Sequence, residues 1–299
     1  MHEGAARRSW LPTFLVLSSI WGSSFLFIKV GVEDFEPFQV AFARCALGAL
    51  ALVAILVVRR DRLPRGRRVW LHLFLIATLF NSIPFALFAF GETKVSSAVA
   101  GISNSTTPLW VMVVSLAILP GERPTRQRVL GLFMGFAGVL VVLGPWRDLG
   151  GQLAGYLACF AAAACYGLAY PYTRRVLTDR PESGVALSAA QVLLGTLQLV
   201  PFVAATTSPP DSYPVDAVLS LVALGAGGTG IAYVLNYDLI RRAGAQVAST
   251  VTYVVPLFAV VLGVVVLGER LSWNQPVGAA VVLAGVALTQ DRLSRRRRG

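Results

Sequence analysis

"LPGER" at residues 119–123 and "LGER" at residues 267–270 each follow a long apolar run, with their Gly-Glu-Arg triplets 147 residues apart. A charged pair beside hydrocarbon is costly, so its recurrence points to a duplication. Going forward, Gly131 pairs with Gly278 and "AGV" at 137–139 with "AGV" at 284–286, both at the same offset. Going backward, one residue is inserted in the first copy, and "PLW" at 108–110 then meets "PLF" at 256–258. Farther upstream "WG" at 21–22 faces "YG" at 166–167, and Lys29 faces Arg174. The chain reads as two copies of one unit, 1–149 and 150–299, divided near Gly150.

The apolar runs fix what that unit is. Of 299 residues, 56% are hydrophobic and 14% charged, and the mean hydropathy is +0.67. A water-soluble protein of this size needs a more polar surface. Ten apolar blocks occur, near 10–31, 36–58, 69–90, 95–118, 127–144, 152–170, 185–206, 215–237, 245–267 and 274–290. A helix crossing about 30 Å of hydrocarbon needs roughly 20 such residues. Sustained apolar–polar alternation is absent, which argues against a membrane barrel. Each copy holds five blocks. An odd number forces the second copy to enter from the opposite face. The expected fold is an all-α integral membrane protein with ten transmembrane helices, arranged as two inverted five-helix repeats around a central cavity, the usual build of secondary transporters. Gly-Glu-Arg then marks the hairpin joining the last two helices of each repeat. Glu122 and Glu269 anchor these hairpins or gate them from opposite faces, and Ser272 with Gln275 has capping-box spacing for the last helix.

The net charge of +11 would suit nucleic acid, but its distribution does not. With the N-terminus cytoplasmic, 21 of the 26 basic residues fall on inside segments, including Arg59, Arg60 and Arg295 to Arg298. Lys94, Arg147 and Arg270 remain outside, and Lys29 and Arg44 lie within helices. This is the positive-inside rule. It places both termini in the cytoplasm and makes the bilayer, not nucleic acid, the partner. The first block is too long for a signal peptide and lacks a good cleavage site, so it reads as a retained helix. Cys45, Cys159 and Cys165 lie in predicted helices and read as packing residues.

The stretches "WGSSF…K" from Trp21 to Lys29, "FARCALGAL" at 42–50, "PLW…LPGER" and "PLF…LGER" resemble the EamA-type transporters of the drug/metabolite transporter superfamily, and are similar to YddG-like amino-acid and metabolite exporters. The resemblance covers about 10–290. It implies a ten-helix basket whose central cavity is lined mostly by the first, third, fourth, sixth, eighth and ninth helices.

Polar and aromatic groups deep in apolar helices are costly and mark a site. The substrate-binding candidates are Trp21, Ser24, Asn81, Asn104, Trp110, Tyr166, Tyr233 and Tyr253. Asn81 and Asn104 can donate to a carboxylate and accept from an ammonium, and the aromatic rings can wall an apolar cargo. Each can instead serve packing or an interhelical hydrogen bond. Pro108 and Pro256 occupy equivalent positions, and each frees a carbonyl one turn back, at Asn104 and Thr252. Lys29 and Arg44 either attract an anionic group or pair with Glu33, Asp34, Glu36 or Glu92; pairing is the expectation. Trp10, Trp70, Trp146 and Trp273 sit near block ends as an interfacial belt.

The function these features predict is export of small metabolites, amino acids (aromatic or hydrophobic ones included) foremost, across a bacterial inner membrane by alternating access. Another small metabolite or a drug is the alternative cargo. Neither lysine follows a glycine, so there is no Walker A motif. Glu92 and Asp238 stand near helix ends, which favours facilitative transport or exchange over proton coupling. A lipid-acting enzyme would need clustered nucleophiles or acids, and the two histidines, His2 and His72, have no evident partner. No enzyme activity, cofactor or metal is expected, and the assembly is a monomer or a homodimer.

Overall fold

The computed structural model describes residues 10–118, 125–144, 146, 150–177, 180–243 and 251–289. Regular structure among them is helical throughout: α1 (Leu11–Asp34), α2 (Pro37–Val58), α3 (Arg67–Ala77), α4 (Ile83–Glu92), α5 (Ser97–Asn104), α6 (Thr107–Ile118), α7 (Arg126–Leu143), α8 (Gln152–Leu177), α9 (Gly184–Thr206), α10 (Val215–Val222), α11 (Ala232–Ala243), α12 (Val251–Val265) and α13 (Asn274–Thr289). Among the described residues, six apolar helical stretches are long enough to cross a membrane: α1, α2, Arg67–Glu92, α8, α9 and Val215–Asn236. Val129–Leu143, Val251–Val265 and Asn274–Leu288 are shorter apolar helices. At 1.5 Å per residue, the 24 residues of α1 reach about 36 Å.

Local chemistry sets the ends. Phe35 is extended and closes α1 by donating its N–H to the Gly31 carbonyl. Glu36 and Gln39 then form a capping box, with Pro37 opening α2. Ser96 and Ser183 cap α5 and α9 through their hydroxyls, which accept from the backbone N–H of Val99 and Ala186. The Gln275 side chain accepts from the Ser272 N–H at 3.1 Å, the half of the expected capping box that reaches backward. In "LGER", Gly268 has φ +66°, a left-handed turn that favours glycine.

Three spans are interrupted along their length. Between α3 and α4 the chain widens into a π-helical turn, Thr78–Ser82, and between α10 and α11 into a longer one, Ala223–Ile231. Pro84 removes a backbone donor beside the first; the second runs through the glycines of "LGAGGTGI". The block at 95–118 is not one kinked helix: α5 stops at Asn104 and α6 begins at Thr107. Pro108 therefore sits just after a break, whereas Pro256 lies inside α12. Block 152–170 continues as α8 to Leu177, carrying Pro171 within it.

Packing repeats itself in exchanged pairs. A Cβ on Gly22 would strike Phe258, and one on Gly167 would strike Trp110. Gly48 lies against Thr229 as Gly195 lies against Asn81. Gly138 abuts the backbone of Gly278 and Val282, while Gly285 abuts that of Gly131 and Gly135. In each case the first contact becomes the second when residues are exchanged at offsets of 145 to 148. α7 and α13 share the most extensive interface among the described helices, and α2 packs on α9, α1 on α12 and α6 on α8. The cysteines are free, with Cys45 and Cys159 buried, as packing residues should be.

Candidate functional site

The first π-helical turn positions a buried polar group that bonds to two other helices. Asn81 is fully buried. Its amide donates to the Tyr233 hydroxyl at 3.1 Å, and its Oδ1 accepts from Gln191 Nε2 at 2.7 Å. The next residue, Ser82, donates to Gln198 Oε1 at 2.6 Å. The second π-helical turn supplies Thr229, whose hydroxyl accepts from Arg44 Nε at 3.2 Å. The Arg44 guanidinium lies 3.8 Å above the Phe85 ring. Tyr166 faces Phe80 and Phe88, with ring centroids 5.5 and 6.1 Å apart, and Tyr170 meets Phe80 edge-on at 4.8 Å. π-helical turns widen a helix and turn side chains away from their α-helical directions; here they aim Asn81 and Thr229 at partners on other helices.

The structure thus gathers Asn81, Tyr233 and Tyr166. Ser24 is buried, and its hydroxyl returns to the Ile20 carbonyl at 3.1 Å; Trp21 is half-buried against the main core. Asn104 ends α5 at 9% exposure, with only a 3.5 Å contact from the Thr107 hydroxyl. Trp110 stands apart, edge-on to Phe136 with its indole N–H buried and unpartnered. Tyr253 packs against the separate Leu109–Val282–Val286 cluster. Of the paired Gly-Glu-Arg sites, Glu122 lies outside the described residues. Glu269 reaches beyond its own hairpin: Oε1 accepts from the Ser97 N–H at 2.6 Å and Oε2 from the Ala98 N–H at 3.0 Å, capping α5.

The expected pairing of the intramembrane cations is not formed among the described residues. Neither Lys29 nor Arg44 forms an ion pair among the described residues. Lys29 instead donates to the carbonyls of Glu92 and Val95, at 2.7 and 3.2 Å, and Glu36 accepts from the Ser208 N–H. Both carboxyl oxygens of Glu92 are buried without a partner. His72 meets the Tyr172 hydroxyl at 2.8 Å. No cluster of metal-ligating side chains occurs among the described residues.

The central polar bonds share a property. Arg44–Thr229, Asn81–Tyr233, Asn81–Gln191 and Ser82–Gln198 each join the first half of the sequence to the second. The EamA-like transporter family matches the chain twice, over residues 8–144 and 153–290. The chain belongs to the EamA-like transporter family. An "uncharacterized transporter" of Archaeoglobus fulgidus is 28% identical over 285 residues, covering 90% of this chain and 93% of that one. The "uncharacterized inner membrane transporter YedA" of Escherichia coli is 27% identical over 287 residues, covering 94% and 91%. A solved crystal structure superposes with a TM-score of 0.67 over 98% of this chain and 99% of its own, at 24% identity, a likeness of fold.

As an EamA-like protein the chain is a multi-pass membrane transporter, and its polar seam runs between the two segments that the family matches. A separate cavity of about 250 Å³, lined by Lys94, Ser96, Gln152, Tyr156, Arg270 and Gln275 among others, lies near the ends of the helices. None of the eight substrate candidates lines it. Gln191, Thr229, Phe80 and Phe85 were not legible as site residues from sequence. Gln191 alone carried a usable signal, a large amide in the middle of an apolar block.

Proposed function

We propose that this EamA-like chain is a secondary transporter that exports small metabolites, amino acids foremost, across a bacterial inner membrane. The two halves, 1–149 and 150–299, are inverted five-helix repeats of a ten-span protein with both termini cytoplasmic, and they rock about the polar seam. The observation that carries this reading is the exchange-paired packing. When residue i of one half touches j of the other, and their counterparts touch in the reverse sense, the halves are related by a two-fold axis. With five spans in each half and the basic residues gathered on one face, that axis lies in the membrane plane. Two similar halves have two similar closed arrangements, which gives alternating access.

The seam suits a small polar cargo. Asn81, Tyr233 and Gln191 form a hydrogen-bonded chain that can exchange a protein partner for a solute, and Trp21, Ser24, Asn104 and Tyr166 surround the approach. Trp110 and Tyr253 stand farther out, on α6 and α12, packed on Phe136 and on the Leu109–Val282–Val286 cluster. Pro108 and Pro256 shape the spans that carry Asn104 and Tyr253. In this orientation the Lys94–Arg270 cavity is the outer mouth, Glu269 latches the outer hairpin, and Glu122 serves the inner one. Exchange or the cargo's own gradient supplies the drive.

The test is counterflow of radiolabelled amino acids in proteoliposomes of the purified full-length protein, beside retention of the same amino acids by cells with and without expression. Saturable counterflow and lowered retention are expected. Leak-level exchange for every amino acid would remove them as cargo.

A further inference from the structure

We propose that Arg44 is the anchor for a carboxylate group on the transported solute; the inference rests on the transporter reading above and names the chemistry of its cargo. Arg44 lies seven residues into α2, about 10 Å along the helix axis, and is 7% exposed. A guanidinium at that depth is costly unless something compensates its charge. The protein compensates little of it. Nε is committed to the Thr229 hydroxyl, and Phe85 covers one face. Tyr166, Tyr233, Cys45 and Glu92 are the titratable side chains within electrostatic reach, and none forms an ion pair with it.

The two Nη groups decide the matter. They have no acceptor among the described residues. They are also absent from the sealed, unpartnered atoms, which are Glu92 Oε1 and Oε2, Ser97 Oγ, Trp110 Nε1, Thr173 Oγ1 and Glu182 Oε2. Each therefore keeps some contact with accessible space, in a residue that is 7% exposed overall. A guanidinium whose Nε side is taken presents a two-donor fork, which matches the two oxygens of one carboxylate. The Tyr166 hydroxyl, itself without a protein partner among the described residues, can add a donor. Phe80 and Phe85 keep the surroundings apolar, so the rest of the solute is small and uncharged or carries its ammonium toward Asn81.

The experiment is phenylglyoxal modification of the full-length protein in liposomes, with Arg44 followed by peptide mass spectrometry. Benzoate and L-phenylalanine are expected to slow labelling of Arg44 several-fold, and benzamide and L-phenylalaninamide to leave it unchanged. Failure of Arg44 to label, or equal protection by acid and amide, overturns the proposal. Protection by inorganic phosphate alone reassigns the group and also overturns it. Counterflow in the same liposomes separates the two readings. R44K and R44Q are expected to lose flux of carboxylate solutes. Wild-type flux that ignores the carboxylate sinks the Arg44 assignment and leaves the transporter standing. Carboxylate protection without any flux sinks the transporter reading and leaves the anion site.

Discussion

Asn81 uses both ends of its amide, one on Tyr233 and one on Gln191. Replacing it with Leu removes two hydrogen bonds and strands the Gln191 amide, a loss of about 1–3 kcal/mol for a buried group. Asn81→Leu is therefore expected to lower the melting temperature in detergent as well as abolish counterflow. Asn104→Leu, whose amide is nearly free, should abolish flux with the melting temperature unchanged; unchanged flux would remove Asn104 from the site. Glu92 supplies the opposite case. Its carboxylate is buried with no hydrogen bond, so Glu92→Gln should melt at the wild-type temperature or higher, and a fall would reveal a partner the structure does not contain. At this scale the sequence was half legible. Polar residues in apolar blocks pointed to Asn81, Tyr166 and Tyr233, which the structure brings together, because burial cost depends on residue type and depth. The pairing of Arg44 was misjudged because nearness along the chain does not set which way a helix faces. Glu33, Asp34 and Glu36 stand at the junction of α1 and α2, about 10 Å along the axis from Arg44.

Among the elements, the exchanged glycine contacts constrain most. Gly138 meets backbone atoms of Gly278 and Val282 and the stiff, branched side chain of Val282. Gly138→Val must push the helices apart and is expected to cost about 1–3 kcal/mol or more, read as lost monodisperse protein on size exclusion. Glu269 gives a gentler test. Its carboxylate satisfies two N–H groups that begin α5, and losing a cap costs about 1 kcal/mol. Glu269→Ala should speed hydrogen exchange at the amides of Ser97 and Ala98, while exchange in α9, capped by Ser183, stays as it was. The Gly-Glu-Arg repeat announced a hairpin, and Gly268 is its left-handed residue. That Glu269 reaches across to α5 was not legible, since a cap formed over 172 positions of sequence leaves no local signature. The π-helical turns are not legible in sequence for a related reason: Pro84 and the run at 225–230 are breaker signals that fit a kink equally well.

Over the whole molecule, the duplication was the most legible feature. "AGV", "WG" with "YG", and "PLW" with "PLF" aligned in sequence because equivalent residues occupy equivalent packing, and Gly138 with Gly285, Gly22 with Gly167 and Trp110 with Phe258 are the residues that interlock. Orientation belongs to this scale too. Single cysteines replacing Arg270 and Arg60, in a background lacking the three native ones, should react with an impermeant maleimide on intact cells and only after lysis, respectively; reaction of both on intact cells would exclude the opposed-repeat arrangement. The α7–α13 pair also bears on motion. Its glycine faces meet backbone to backbone, which leaves no cushion for sliding. On the proposed rocking mechanism these two helices form a keel, and the other helices tilt about it. Welding the keel with an engineered disulfide should leave cargo passage intact, whereas the same weld between α1 and α12 should stop it.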